Sequence, residues 1–206
     1  MKKTVKKTNS KLPEKGYKVF KAILGVVFKT YYNPKIIGKE NIPKEGPIIL
    51  AANHKHLMDQ CGPIMSTKRV IHYMAKNEYF LKKRTAWFFK MAGCIPVNRA
   101  IHDENAKSEA MKVLQDGKAL GIFPEGTRNR TKDFLLPFKF GCVSMAKKTD
   151  AYIVPIGISG DYKFRSKNLV YRIGKPFKVG DMDLEEANKE LANKIGKLIK
   201  LGGKNE

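Results

Sequence analysis

The sequence predicts a single α/β domain: a largely parallel or mixed central sheet flanked by helices, preceded by an N-terminal amphipathic helix. Three observations carry this. Short apolar runs of strand length alternate with longer stretches of helical period along most of the chain. Its 206 residues, 42% hydrophobic, suffice for one well-buried core and little more. No internal repeat or linker-like segment divides it. Residues 1–33 read as a basic arm and amphipathic helix, and 34–206 as the α/β domain.

The arm opens with Lys2, Lys3, Lys6 and Lys7. Residues 17–32 then have helical period: Lys18, Lys21, Gly25 and Lys29 make one narrow polar stripe on an otherwise apolar surface, and Asn33-Pro34 ends it. Such a helix either packs into the core or lies in a membrane interface with its lysines at the headgroups. Lys18, Lys21 and Lys29 interrupt the apolar run too often for a spanning helix or a cleaved signal, so neither a transmembrane segment nor secretion is expected. Buried strands are predicted over 47–52, 70–74, 94–97, 119–123, 153–158 and 169–173. Helices are predicted over 78–91, 103–115, 138–147 and 184–199. The last has Asp183 as its N-cap, Glu186 three residues on, and an apolar stripe of Leu184, Ala187, Leu191, Ile195 and Leu198. The stretch 79–90, which holds the only Trp, mixes bulky apolar and cationic side chains. It suits either a membrane interface or a helix with one core face and one basic face.

Charge narrows the partners. Lys and Arg number 41 against 19 acids, for a net charge of +22, which fits nucleic acid, an anionic membrane or an acidic substrate or carrier. No nucleic-acid-binding module is present, so that partner is not expected. Cys61, Cys94 and Cys142 are odd in number and widely spaced, which argues against a disulfide framework or a zinc site.

Two stretches carry chemistry. Asn53-His54-Lys55-His56-Leu57-Met58-Asp59 follows the strand at 47–52. On a straight helix five residues leave two side chains about 140° apart. His54 and Asp59 therefore pair only if His54 sits in a turn and Asp59 in the helix after it. A carboxylate on one ring nitrogen would then leave the other as a base. The competing arrangement pairs Asp59 with His56 on a helix surface. A metal site of the HxHxDH type fails at two positions, because Asp59 stands one place late and Gln60 follows it. Phe123-Pro124-Glu125-Gly126-Thr127-Arg128 follows the strand at 119–123. Gly126 permits a tight turn or close ligand approach, Thr127 offers a hydroxyl, and the Arg128 fork matches phosphate oxygens. Glu125 repels anions, so it must bind a hydroxyl or clamp an arginine. The alternative is a surface turn held by a Glu125–Arg128 ion pair.

HX4D as His54 to Asp59, followed by FPEGTR as Phe123 to Arg128, resembles the 1-acyl-glycerol-3-phosphate (lysophosphatidate) acyltransferases. Between them, Gly93-Cys94-Ile95-Pro96-Val97-Asn98-Arg99 resembles that family's middle block. After them, Ile153-Val154-Pro155-Ile156-Gly157 resembles its fourth. The chain departs at His56, Asn98 and Asn129, where Ser or Thr, an acid, and Ser are frequent. The resemblance implies His54 as general base and Asp59 as its orienter. It implies that Arg99, Glu125, Gly126, Thr127 and Arg128 bind the glycerol phosphate, and that Pro155 lies on the acyl-donor side. It also implies direct transfer from acyl-CoA or acyl-carrier protein to a lysophospholipid, phosphatidate as product, and neither metal nor organic cofactor. With the charge, it points to a peripheral enzyme on an anionic membrane, at the cytoplasmic face of the cell membrane.

Overall fold

The computed structural model describes residues 14–98, 101 and 103–201. The basic arm up to residue 13, and Arg99, lie outside them. The strands are β1 (Lys35–Ile37), β2 (Ile48–Ala52), β3 (Ile71–Lys76), β4 (Ile95–Val97), β5 (Ala119–Ile122), β6 (Tyr152–Ser159) and β7 (Val170–Ile173). They form one seven-stranded sheet in the order β1-β7-β6-β2-β5-β3-β4, parallel except where β7 runs antiparallel to β6. The expected mixed α/β architecture is therefore present. The antiparallel pair exists because β6 returns directly as β7 through a loop, whereas parallel neighbours need crossovers that return the chain to its starting edge.

The helices are α1 (Glu14–Tyr32), α2 (Cys61–Ser66), α3 (Glu78–Leu81), α4 (Lys83–Met91), α5 (Glu104–Gln115), α6 (Gly141–Thr149) and α7 (Leu184–Lys200). The helix expected over 78–91 is two, broken at Lys82, whose backbone is extended (φ −93°, ψ 127°). β1 is not expected from the sequence, and α2 is expected only as the helix after His54 that the spacing to Asp59 requires; at three and six residues both are too short to show a period. Asp183 caps α7 as expected, accepting from Glu186 N at 2.8 Å.

The sheet has a core on each face. All five residues of β2 are buried, as befits a central strand covered on both sides. Ile48, Leu50 and Ala52 join Phe28 of α1, Cys61 and Ile64 of α2, and Tyr171. Ile49 and Ala51 join Ala106 and Leu114 of α5, Val143 of α6, and Leu191 and Ile195 of α7. The sheet thus separates an α1 side from an α7 side. Gly62 lets α2 approach β7: a Cβ there would stand 2.2 Å from the Tyr171 ring.

The expected polar stripe of α1 is corrected. Lys21 and Gly25 face the protein; the Lys21 ammonium donates to Thr67 O, and Gly25 lies near Met65. Tyr17, Phe20 and Phe28 are buried beside them. The opposite face is apolar and open: Val19, Ile23, Val26 and Val27 are 56–67% exposed. The wheel pattern could not reveal this, because both faces are apolar and only packing chooses which is covered.

Candidate active site

β2 has β5 on one side and β6 on the other, so the loops leaving their C-terminal ends converge on one edge. In open α/β sheets ligands bind at such a place. His54, Glu125 and Ser159 arrive there from the three strands.

His54 Nδ1 lies 2.8 Å from Asp59 Oδ2, and the Asp59 side chain is fully buried. Asp59 is not in a helix as the spacing argument required. It sits in the turn before α2, which starts at Cys61. The turn curls back on itself because Asp59 Oδ2 also accepts the Lys55 and His56 backbone N–H groups, at 2.6 and 2.7 Å. Asp59 meets His56 only through that backbone N–H, and the competing pairing with the His56 side chain on a helix surface does not form. The His56 ring stacks on Tyr162 (centroids 4.1 Å apart), and burial lowers its pKa. The His54 ring stacks on Phe123 at 4.0 Å and 11°. With Nδ1 engaged, Nε2 is the nitrogen left to act as a base.

Glu125 is 3% exposed and, among the described residues, neither clamps an arginine nor pairs with Arg128. Its Oε1 accepts His54 N at 2.7 Å and its Oε2 accepts Leu136 N at 2.9 Å. Burial raises the Glu125 pKa against the opposing pull of those two donors. Asn129 N donates to His54 O at 2.6 Å, so both backbone groups of His54 are held by the loop after β5. Gly126 has φ +71°, and its N–H closes a turn onto Phe123 O at 2.9 Å. A Cβ there would stand 2.9 Å from Lys139 Cε, so the Lys139 stem crosses the turn. Arg128 is half-buried and its guanidinium makes no hydrogen bond or ion pair among the described residues. Thr127 is exposed. Pro155 is buried within β6, its ring packed near Gly174 under α7. No group of His, Cys, Asp and Glu side chains suited to a metal occurs among the described residues.

Sequence reasoning missed three participants. Asn53 bridges β2 and β6 with Nδ2 to Ile158 O at 3.0 Å and Oδ1 from Ile158 N at 2.7 Å. The Tyr162 hydroxyl donates to Asp59 Oδ1 and lies 2.6 Å from the Tyr171 hydroxyl. Burial pushes the pKa of both tyrosines up, so both stay neutral and able to donate. Only Asn53 carried a signal, as a polar residue ending a buried apolar run.

The profile of the family described as "Acyltransferase" matches residues 33–159. A 1-acyl-sn-glycerol-3-phosphate acyltransferase of Borreliella burgdorferi is 35% identical over 141 residues, covering 68% of this chain but only 56% of that relative. One of Bacillus subtilis is 29% identical over 201 residues, covering 88% of this chain and 100% of its own length. Among solved structures, the 1-acyl-sn-glycerophosphate (LPA) acyltransferase PlsC from Thermotoga maritima superposes with a TM-score of 0.77 over 92% of this chain and 80% of its own. At 24% identity that likeness speaks for the fold.

The Tyr162 hydroxyl completes the donor set around a buried carboxylate. Tyr162→Phe should cost about 1.5–3 kcal/mol of stability, the worth of a hydrogen bond to a charged group. Urea denaturation measures it. A variant as stable as the parent would make the hydroxyl incidental.

Proposed function

We propose that this chain, which belongs to the acyltransferase family, moves a fatty acyl group from a thioester to the free hydroxyl of 1-acyl-glycerol-3-phosphate. The observation that carries this reading is the His54–Asp59 pair near Arg128, which has no partner among the described residues, in a family whose relatives are named 1-acyl-sn-glycerol-3-phosphate acyltransferases. Nε2 of His54 takes the hydroxyl proton. The acceptor oxygen attacks the thioester carbon, the C–O bond forms, and the C–S bond breaks. The thiolate leaves with the proton held by His54. Asp59 stabilises the imidazolium meanwhile and keeps the ring in register. The donor is acyl-CoA or acyl-carrier protein. Arg128 takes the acceptor phosphate, and Arg99, Gly126 and Thr127 complete its site. Glu125 acts by holding the loops that carry His54 and this turn.

The acceptor's tail lies in a bilayer, so the enzyme docks on the membrane surface at the cytoplasmic face. No described helix is long and apolar enough to cross a membrane. The open face of α1 supplies insertion, and Trp87 on α4, 65% exposed, extends it. Lysines attract anionic lipid at about 1 kcal/mol per suitably placed charge.

His54→Ala should lower kcat by about 10²–10⁴-fold, as expected for loss of a general base. His56→Ala should change it far less. Acyl-transfer assays across lysolipid acceptors test both, and a dead His56 variant beside an active His54 variant would reverse the assignment.

Arg128→Ala should raise the KM for lysophosphatidate and leave that for a neutral monoacylglycerol unchanged, because only the former offers a phosphate to the fork. An effect confined to the donor KM would put the turn on the other substrate.

Replacing Val19, Ile23, Val26 and Val27 together by Ser should weaken co-sedimentation with anionic vesicles and lower activity on membrane-embedded acceptor more than on a short-chain soluble one. These side chains are already exposed, so the fold loses little. Undiminished vesicle binding would remove α1 from the docking surface.

A further inference from the structure

We propose that the cleft running from His54 to the C-terminal turn of α7 holds the pantetheine arm of the acyl donor, the chemistry that acyl-CoA and acyl-carrier protein share. The inference rests on the acyl-transfer reading above and deepens it. The cleft measures about 810 Å³, within the range of small-molecule sites. Its walls come from His54 after β2, Asn129 and Phe134 in the loop after β5, Ser159 at the end of β6, Asn168 before β7, and Lys200 on α7.

Position argues for the donor. No residue of α1 lines the cleft, which borders α7 on the opposite side of the sheet. The exposed apolar face of α1 marks the side where a lipid tail would arrive. A water-borne donor is then left the α7 side, and His54 at the sheet edge is reachable from both.

Lining chemistry agrees. Asn129, Thr131, Ser159 and Asn168 line the cleft beside Phe134, Ile158 and Ile199, and such mixed walls match pantetheine, whose two amides and hydroxyl are joined by methylene and dimethyl carbons. The Asp133 carboxylate also lines the cleft and disfavours a phosphate at its inner end. The Lys55 ammonium is engaged by Gly160 O. At the far end Lys200 stands over the Phe134 ring, 5.6 Å from its centroid, where the phosphate at the end of the arm would meet it. Ser159 is the independent sign. The residue is 8% exposed and its hydroxyl has no hydrogen-bond partner among the described residues. A buried polar group without a partner calls for one, and Ser159 stands in the wall of the cleft. Pro155, four residues earlier on β6, then serves the donor side by carrying the strand that presents Ser159.

Two-substrate kinetics on the full chain tests this, with 4′-phosphopantetheine as a dead-end probe and with Ser159→Ala and Lys200→Glu as variants. Phosphopantetheine should compete with the donor and not with lysophosphatidate. Ser159→Ala should raise the donor KM about three- to tenfold, the range for one neutral hydrogen bond. Lys200→Glu should raise it for acyl-CoA and acyl-carrier protein alike, with the acceptor KM unchanged throughout. Competition with lysophosphatidate, a raised acceptor KM or an unaltered donor KM would overturn the assignment. A Lys200→Glu effect with acyl-CoA alone would place the nucleotide there instead and overturn it too. If the wild-type chain transferred no acyl group from any thioester, the function itself would fail. Calorimetric binding of 4′-phosphopantetheine, weakened by the same two substitutions, reads the cleft without turnover.

Discussion

The buried carboxylate of Glu125 joins the two halves of the site. It accepts the backbone N–H of His54 through one oxygen and that of Leu136 through the other. The first residue carries the imidazole paired with Asp59. The second begins the segment that lays Lys139 across the Gly126 turn, with Lys139 N returning to Pro124 O at 2.8 Å. Without this anchor the loops after β2 and β5 would be free to move apart, since β2 and β5 pair only as far as Ala51 and Ile122. Burial works against the charge that makes the anchor strong, raising the Glu125 pKa. The two N–H donors oppose that shift, so the carboxylate and the loops it binds depend on each other. An acid in the turn that carries Arg128 is thereby explained: its charge faces backbone donors inside the protein.

Asp59 repeats this logic at shorter range. One carboxylate takes two backbone N–H groups, the His54 ring and the Tyr162 hydroxyl. The donors that shape the turn also fix the orientation of the His54–Asp59 pair. Tyr162 brings a longer connection, since its ring contacts Tyr32 at the end of α1 at a centroid distance of 5.5 Å. The same loop is tied to α1 again by Arg165 N to Tyr31 O at 2.6 Å and by the Tyr31–Phe164 ring contact. The helix proposed to meet the membrane and the aspartate paired with His54 are therefore joined through one packed aromatic cluster.

The sheet gives the site its geometry. Its two faces are covered by different helices, and its C-terminal edge, where the site lies, borders both. On the function proposed above, a base at that edge faces a lipid from one side and a thioester from the other, which suits a direct transfer between two substrates.

By itself the amino-acid sequence determined the α/β class, because runs such as 47–52 and 153–158 are apolar on both faces and must be covered on both. It also determined the N-cap at Asp183, which is local chemistry. It placed His54, Asp59 and the Glu125–Arg128 turn directly after strands, and their order along the chain marked the family. What it could not contain was anything set by contacts between distant residues. The Tyr162–Asp59 bond joins residues 103 positions apart, and the two tyrosines resemble any other aromatic in the sequence. Glu125 read as a ligand group, because its partners are backbone donors, which every residue but proline has. α1 read as a helix with one polar stripe, yet Lys21 turned inward to Thr67 O while four valine and isoleucine side chains stayed open. Periodicity records which residues share a face. Only the tertiary structure, by packing one face against α2 and α4, decided which face met the protein.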